Sequence, residues 1–591
     1  MQGCDLPERW RGAQAWRILD TDFGDGLHFL STWHAWRADI HRPRMLHVLA
    51  IAPAAIPTEA LHQCVADLPD LRPLVEELTA QWFGLLPGFH RIVLNNGQVL
   101  LTLCIGSLLA MLREQQFLAD AIYLNGSDSA TEQPGVWDLW SLKALARCCR
   151  RGTALASTGL TTGLRQRLQQ CGFEIPASGV HGNYNPRWEL KRTRNPWAQR
   201  GDTPQTCAVV GAGLAGASVA AALARRGWQV QVLDAAPAAA MGASGLPVGL
   251  LVPHGSVDDG PRSRLSRSGV RLTLQQARQF LRLGQDWSPS GVLELRRPGT
   301  PGLAPDWPEE GHAWSQAAEA PASHAPWSQG LADDAPAVWH ASAAWIKPAS
   351  LVQAWLDRPG VTFRGEAQVA SIRRRGDEWS LFDPDQELLA SAAHVVLATA
   401  NGTPRLLKEL ELSQPEADSC TARLPALQGI RGLMSWGMQR EVDAALFPPF
   451  PVNGMGSFIS NVPVDGGLAW FAGGSYEPDD RNPASPAEHH QANLARLQGL
   501  LPAVGAALLA DFETGKVRGW GQTRCTSTDR LPLAGPLTSG DRPTLWASTG
   551  MGSRGLSFSV LCAELLAARL NGEPLPIEAG LARFLHTFRS K

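Results

Sequence analysis

The sequence has no long hydrophobic run. Its longest apolar stretch, Val99 to Met111, is interrupted by Thr102, Gly106 and Ser107 and is too short to cross a bilayer. The opening residues, MQGCDLPERWRG, lack the apolar segment of a secretory signal. Neither sign of charge dominates. Lys and Arg total 53 against 55 Asp and Glu, a formal net charge of −2, so nucleic-acid affinity has to come from local patches. None of the ten cysteines is spaced C-x-x-C, and adjacent Cys148 and Cys149 suit neither a common bridge nor a zinc site. The expectation is a cytoplasmic protein with reduced, mostly buried thiols, no metal and no membrane segment. No internal repeat is visible.

What is present is a globular composition, 44% hydrophobic and 18% charged, over a length that allows two or more domains. The most informative stretch is CAVVGAGLAGASVAAALARRGWQVQVLD, Cys207 to Asp234. A short apolar strand leads into G-x-G-x-x-G at Gly211, Gly213 and Gly216. An Ala-rich helix follows to Arg226, then a stop at Gly227, a second strand and an acid. Gly211 permits the tight turn, Gly213 lets backbone approach a pyrophosphate, and Gly216 lets the helix pack closely on the sheet. The helix start attracts phosphate, and Asp234 is placed to accept hydrogen bonds from a ribose. Strand, turn, helix, strand and acid in register predict a dinucleotide-binding unit.

Residues 1–185 read as a separate α/β domain. Strands at Trp16–Leu19, Leu46–Ile51, Val99–Ile105, Ala121–Leu124 and Ala154–Ser157 alternate with helical patterns at Pro57–Trp82 and Trp137–Cys149, which argues a parallel sheet covered by helices. Residues 186–204 lack apolar periodicity and read as a basic linker, and 205–591 as the second domain. Within it, 258–290 looks helical and basic, and the Pro- and Ala-rich 300–335 looks like a surface excursion. A second glycine-rich helix start, GMGSRGL at Gly550–Leu556, implies another backbone approach to the same cofactor.

Four separated motifs, VVGAGLAG, GASG (242–245), VVLATANG and GMGSRGL, resemble those of the flavin-dependent oxidases of the glycine oxidase and D-amino-acid oxidase superfamily. The resemblance implies FAD, with cofactor-binding residues Gly211, Ala212, Gly213, Gly216, Asp234, Ser244, Gly249, Val369, Ala398, Gly552 and Gly555. It implies an α/β fold: an N-terminal Rossmann-like methyltransferase-type domain, then a FAD-binding Rossmann domain with an inserted α+β substrate domain. The FAD-binding parts fall at about 205–290, 340–420 and 520–575, and the substrate part at about 290–340 and 420–520. The pairing of two such domains, with R-C-x-x-x-D-x-L-P at Arg524–Pro532, resembles the bifunctional MnmC family of tRNA 5-methylaminomethyl-2-thiouridine biosynthesis. That resemblance implies oxidative removal of the carboxymethyl group from 5-carboxymethylaminomethyluridine at the wobble position in the tRNA anticodon loop. S-adenosylmethionine-dependent methylation follows in the family. Nothing in the sequence fixes an oligomeric state, and a monomer is compatible with it.

An arginine fork suits a substrate carboxylate, because two parallel charge-assisted bonds fix position and angle together. By the same resemblance Arg524 is the first candidate, Arg554 at the second glycine turn the next, and Tyr476 in GGSYE a hydrogen-bond candidate; a structural ion pair is the competing role for each arginine. The first domain departs from its family. Its loop DTDFGDG keeps Asp20, Phe23, Gly24 and Gly26 but adds Asp25, while Ala52 and Ser107 stand where acids for the cofactor's ribose and adenine belong. Asn125 replaces an aspartate expected beside the accepting amine, with Asp128 three residues on. The expectation is a persisting fold in which methyl transfer is lost or severely weakened. A tRNA track is available from Arg187, Lys191, Arg192, Arg194 and Arg200, with Arg262, Arg264, Arg267 and Arg271. Two other readings remain open at this point: a free amino-acid or amine oxidase with a vestigial first domain, and a tRNA-binding scaffold holding FAD structurally.

Overall fold

The computed structural model describes residues 2–124, 136–177, 179–189, 204–297, 299–300, 302–319, 325–331, 336–413, 424–440, 442–479, 484–538 and 543–589. Asn125, Asp128, Lys191, Arg192, Arg194 and Arg200 lie outside the described residues.

The first sheet contains β1 (Ala15–Asp20), β2 (Met45–Ala52), β3 (Gly88–Leu94), β4 (Val99–Ile105), β5 (Ala119–Leu124), β6 (Cys149–Ser157), β7 (Phe173–Glu174) and β8 (His181–Tyr184). Their order is β3-β4-β2-β1-β5-β6-β8-β7, and the inner five run parallel. Every residue of β2, β4 and β5 is buried, as expected of parallel strands covered on both faces. β3 and β8 join antiparallel at the two sides. β3 was not among the strands expected from sequence; its stretch GFHRIVL carries a histidine and an arginine within the apolar run. The single helical pattern Pro57–Trp82 is in fact two helices, Thr58–Gln63 and Arg72–Thr79. Pro69 and Pro73 each open a new turn between them, where a missing N–H costs nothing.

The second domain centres on a six-stranded sheet ordered Val361–Arg364, Gln229–Leu233, Thr206–Val210, His394–Leu397, Leu545–Thr549 and Leu533–Pro536. The first five are parallel and the last is antiparallel. A nine-stranded sheet stands apart from it, drawing on Val292–Leu295, Pro336–His340, Leu427–Met438, Ser457–Val464 and Gly467–Gly473 among others. The strand Arg518–Ser527 corrects a sequence boundary. It was grouped with the flavin-binding part, yet it pairs antiparallel along its length with Leu427–Met438 in this outer sheet.

Residues 300–335 are also more than a surface excursion. Trp314 is 1% exposed and donates its indole N–H to the Gly84 carbonyl of the first domain at 2.7 Å. The basic helix Pro261–Phe280 is likewise internal. Arg271, 1% exposed, donates to the carbonyls of Gln81 (3.0 Å) and Phe83 (2.5 Å). Arg267 pairs with Asp259, Arg264 with Glu578, and Arg262 donates to the Asp529 carbonyl. Arg271 thus bridges to the first domain and the other three are held by partners within the second, so the four do not form an open basic track.

The two glycine-turn helices, Leu214–Arg225 and Gly555–Asn571, pack on each other and are ion-paired at their far ends. Arg226 forks onto Glu573 (2.7 and 2.9 Å) and reaches Glu564 (3.1 Å), while Arg225 meets Glu564 at 2.5 Å. Burial alone would raise both carboxyls, but the arginines outweigh it and hold each at about 2. A carboxyl depressed in the folded state gives its stability above the unfolded value, about 4.3, and loses it as pH falls through the folded one. Breaking one partner of a buried pair costs about 3–5 kcal/mol. Arg226→Met is therefore expected to lower the melting temperature strongly near about pH 7, with the gap to the unaltered protein narrowing toward about pH 3. Thermal melts at the two pH values check it, and a gap independent of pH contradicts it.

Candidate active site

Between the two sheets lies a cavity of about 900 Å³, within the range of small-molecule and cofactor sites. Both glycine turns line it: Gly211 and Gly213 from the first, Gly550, Gly552 and Gly555 from the second. Gly211 has φ +106°, which an L side chain avoids. A Cβ at Gly216 would strike the Gly211 carbonyl, so this glycine sets how closely helix and turn approach. The helix start is trimmed by two side chains. The Ser244 hydroxyl accepts from Leu214 N–H at 2.9 Å, and Asp234 accepts from Ala212 N–H at 2.7 Å and Ala236 N–H at 2.9 Å. Each Asp234 oxygen keeps a second lone pair, and the residue borders the cavity. The far wall is the outer sheet. There Arg524 lies over Gly432, where any Cβ would collide with the guanidinium. It donates to the Ser475 carbonyl at 3.2 Å, and among the described residues no carboxylate pairs with it. Burial lowers its pKa.

Comparison with known proteins fits this arrangement. A family described as FAD dependent oxidoreductase matches residues 206–569, and one described as S-adenosyl-L-methionine-dependent methyltransferase matches 69–186. The tRNA 5-methylaminomethyl-2-thiouridine biosynthesis bifunctional protein MnmC of Albidiferax ferrireducens is 50% identical, over 99% of this chain and 95% of its own. That of Polaromonas naphthalenivorans is 47% identical, over 98% and 91%. The chain belongs to the MnmC family. Its oxidase half shares its fold with glycine oxidase from Geobacillus kaustophilus, with a TM-score of 0.51 at 18% identity, covering 66% of this chain and all of that one.

FAD is the cofactor of this half of an MnmC chain, and the residues present fit it. Turn, helix start, Asp234 and a cavity of adequate size coincide in one place. Of the residues singled out from sequence, Gly211, Gly213, Asp234, Ser244, Gly249, Val369, Ala398, Gly552, Gly555, Arg524 and Arg554 line the cavity. Ala212 and Gly216 lie behind the lining. Ala212 is fully buried and Gly216 packs under the turn. Tyr476 does not line the cavity. It is half exposed, and its ring lies 5.4 Å from the Arg524 guanidinium as a cation–π partner. Sequence reading missed His254, Glu294, Arg405, Asn453, Ser457 and Gln522, all in the lining. His254 sits in the glycine-rich GLLVPHG stretch, which did signal proximity. Glu294 and Asn453 lie on short strands whose facing only the fold reveals.

The methyltransferase-like half fits its cofactor poorly. Ala52, at the end of β2, is a buried methyl whose carbonyl accepts from Gly106 N–H at 2.8 Å, with no acid to hold a ribose. Phe23 is 2% exposed and stacks on Trp82 at 5.5 Å, so the loop is drawn onto the core. Asp25 turns outward and accepts from Leu27 N–H at the following helix start. Gly216→Val is expected to give folded protein without flavin, read from visible absorbance after desalting. Stoichiometric FAD in that variant contradicts the role given to this close approach.

Proposed function

We propose that this chain oxidatively removes the carboxymethyl group from 5-carboxymethylaminomethyl-(2-thio)uridine at the wobble position of tRNA, leaving 5-aminomethyl-(2-thio)uridine, and that its methylation step is lost or greatly weakened. The observation that carries the reading is Arg524: a partly buried guanidinium in the same cavity as both glycine turns, without a carboxylate partner among the described residues. Bound FAD supplies the hydride acceptor. The chain's own residues do the rest. Arg524 forks onto the substrate carboxylate and fixes the adjacent C–H. Gly432 leaves room for that fork, and Tyr476 supports the guanidinium from its solvent side. Arg554, lowered in pKa by burial and by Arg262, adds positive charge at the second glycine turn. The carbon beside the amine loses a hydride, the nitrogen lone pair closes a C=N bond, and water releases glyoxylate. The anticodon loop is the substrate region, and a monomer suffices for a cavity built from one chain. In the first domain, Ala52 removes a charge-assisted bond of roughly 1.5–3 kcal/mol to the ribose, which weakens S-adenosylmethionine by one to two orders of magnitude.

Arg524→Ala is expected to raise the substrate concentration for half-maximal flavin reduction by about 100-fold or more while FAD stays bound. Unchanged anaerobic reduction removes Arg524 from the site. For the whole reading, the protein is incubated with tRNA bearing the carboxymethylaminomethyl nucleoside, with and without S-adenosylmethionine, and products are identified by mass. The aminomethyl form alone is expected in both cases. Efficient conversion to the methylaminomethyl form contradicts the loss of methyl transfer, and oxidation of free amino acids but not of tRNA points to an amino-acid oxidase.

A further inference from the structure

The cavity also carries polar groups that the oxidation does not use. His254 and Glu294 both line it, away from any role in holding the substrate carboxylate. Each is fixed from behind. The His254 backbone N–H donates to Ser266 Oγ at 2.9 Å, and its Nδ1 lies 3.3 Å from the Arg554 guanidinium. A guanidinium only donates, so Nδ1 accepts and the neutral ring carries its proton on Nε2. Burial, with Arg554 and Arg262 nearby, keeps that ring neutral by lowering its pKa to about 4. Glu294 lies on the strand Val292–Leu295. One oxygen accepts a hydrogen bond from His340 Nε2 at 2.8 Å and the other meets Arg296 at 3.2 Å. His340 has no exposed surface and is itself held by the Ser315 hydroxyl at 2.8 Å. Burial would raise the Glu294 carboxyl, but His340 and Arg296 outweigh it and keep it ionised.

A fixed carboxylate in a cavity that admits an anionic substrate repels that substrate unless it meets a hydrogen-bond donor. Beyond its carboxylate, the modified base assigned above offers two donors, the secondary amine and the uracil N3–H. The amine calls for an acceptor alone. The imide edge of the ring presents a carbonyl acceptor beside an N–H donor, which matches a neutral histidine N–H beside a carboxylate. Asn453, the register neighbour of Glu294 on the adjacent strand, continues the polar row. We propose that His254 and Glu294 read the uracil ring of the substrate, His254 donating to O4 and Glu294 accepting from N3–H, while Arg524, in the same cavity, holds the carboxylate. The inference rests on the function proposed above and adds the specificity for a pyrimidine base.

The test uses the full-length flavin-loaded protein, reduced anaerobically by the 5-carboxymethylaminomethyluridine nucleoside or by its N3-methyl derivative. N3-methylation is expected to raise the half-saturating concentration about tenfold or more in the unaltered protein. In Glu294→Ala that penalty is expected to fall to about twofold or less, because the lost partner is the one being tested. His254→Phe is expected to weaken binding of both nucleosides by about tenfold and to keep the N3-methyl penalty. Equal bleaching by the two nucleosides in the unaltered protein overturns the proposal without any variant, and so does a full penalty that persists in Glu294→Ala. Should Glu294→Ala fail to hold FAD, Glu294→Gln replaces it, with an expected loss of about half the logarithm of the penalty. Failure of the unmethylated nucleoside, free and within tRNA, to bleach a bound flavin sinks the parent function and this inference together. A penalty absent while bleaching is normal sinks the inference alone.

Discussion

The structure depends on the clamp between the two glycine-turn helices. Each turn alone is an ordinary strand-to-helix junction, and a cofactor site exists only because the two point at one space. Their helices are held in contact by small residues and by cross-bonds: Ser218 Oγ donates to the Ser559 carbonyl at 3.1 Å, and Arg225 and Arg226 bind Glu564 and Glu573 at the far ends. Such a buried ionic set is weak evidence for net stability, since desolvation offsets much of the attraction. Its geometric effect is firmer. Two carboxylates and two guanidiniums have few arrangements that satisfy every donor, so the angle between the helices, and hence the spacing of the turns, is set.

This clamp explains how a first domain without its expected acids remains attached. His47, on β2, lies 3.4 Å from Glu573, and Arg17 and Arg91 donate to the carbonyls of Asn571 and Pro574, where the second glycine-turn helix ends. That helix is buried along its length, with helices Leu214–Arg225 and Pro261–Phe280 packed on it and the first domain bonded to its C-terminal end. Stripping the domain away would expose the helix and leave Glu573 and Arg226 facing water. The methyltransferase-like fold is thus structural material for the oxidase whatever its own chemistry. Burial pressing the His47 pKa down to about 3 keeps a second positive charge out of a junction already rich in arginine.

Much of the cofactor side was legible in sequence, and the substrate side was not. Glycines at Gly211 and Gly552 announce themselves because their positive φ suits glycine above all, and the requirement is local. Arg524 was visible through its motif. The arginines of Pro261–Phe280 misled, because a basic helix reads the same whether its charges face water or carbonyls of another domain; Arg271 is buried by Phe83, Gly84 and Trp314, which come from distant segments. The pairing of strand Arg518–Ser527 was hidden for the same reason: the sequence placed about 520–575 with the flavin-binding part, and the strand's partner lies some ninety positions upstream. Glu294 carries no local signal at all, and His254 only that of the glycine-rich stretch around it. Their significance comes from lining one cavity while being held from behind by residues remote in sequence.

The chain thus divides its polar chemistry by depth. Charges in the junction are spent on one another and on carbonyls of the facing domain, and fix geometry; charges in the cavity are left with capacity to spare. Arg524 keeps most of its donors, Asp234 and Glu294 keep lone pairs, and His254 keeps its Nε2 proton. Each is nevertheless immobilised by one or two bonds on its protein side, so little ordering remains to be done when a ligand arrives. Preorganisation of this kind is costly in an isolated domain, because half-satisfied buried groups favour unfolding. The clamped helices and the first domain packed against them offset that cost, which ties the domain lacking its own acids to the oxidase site.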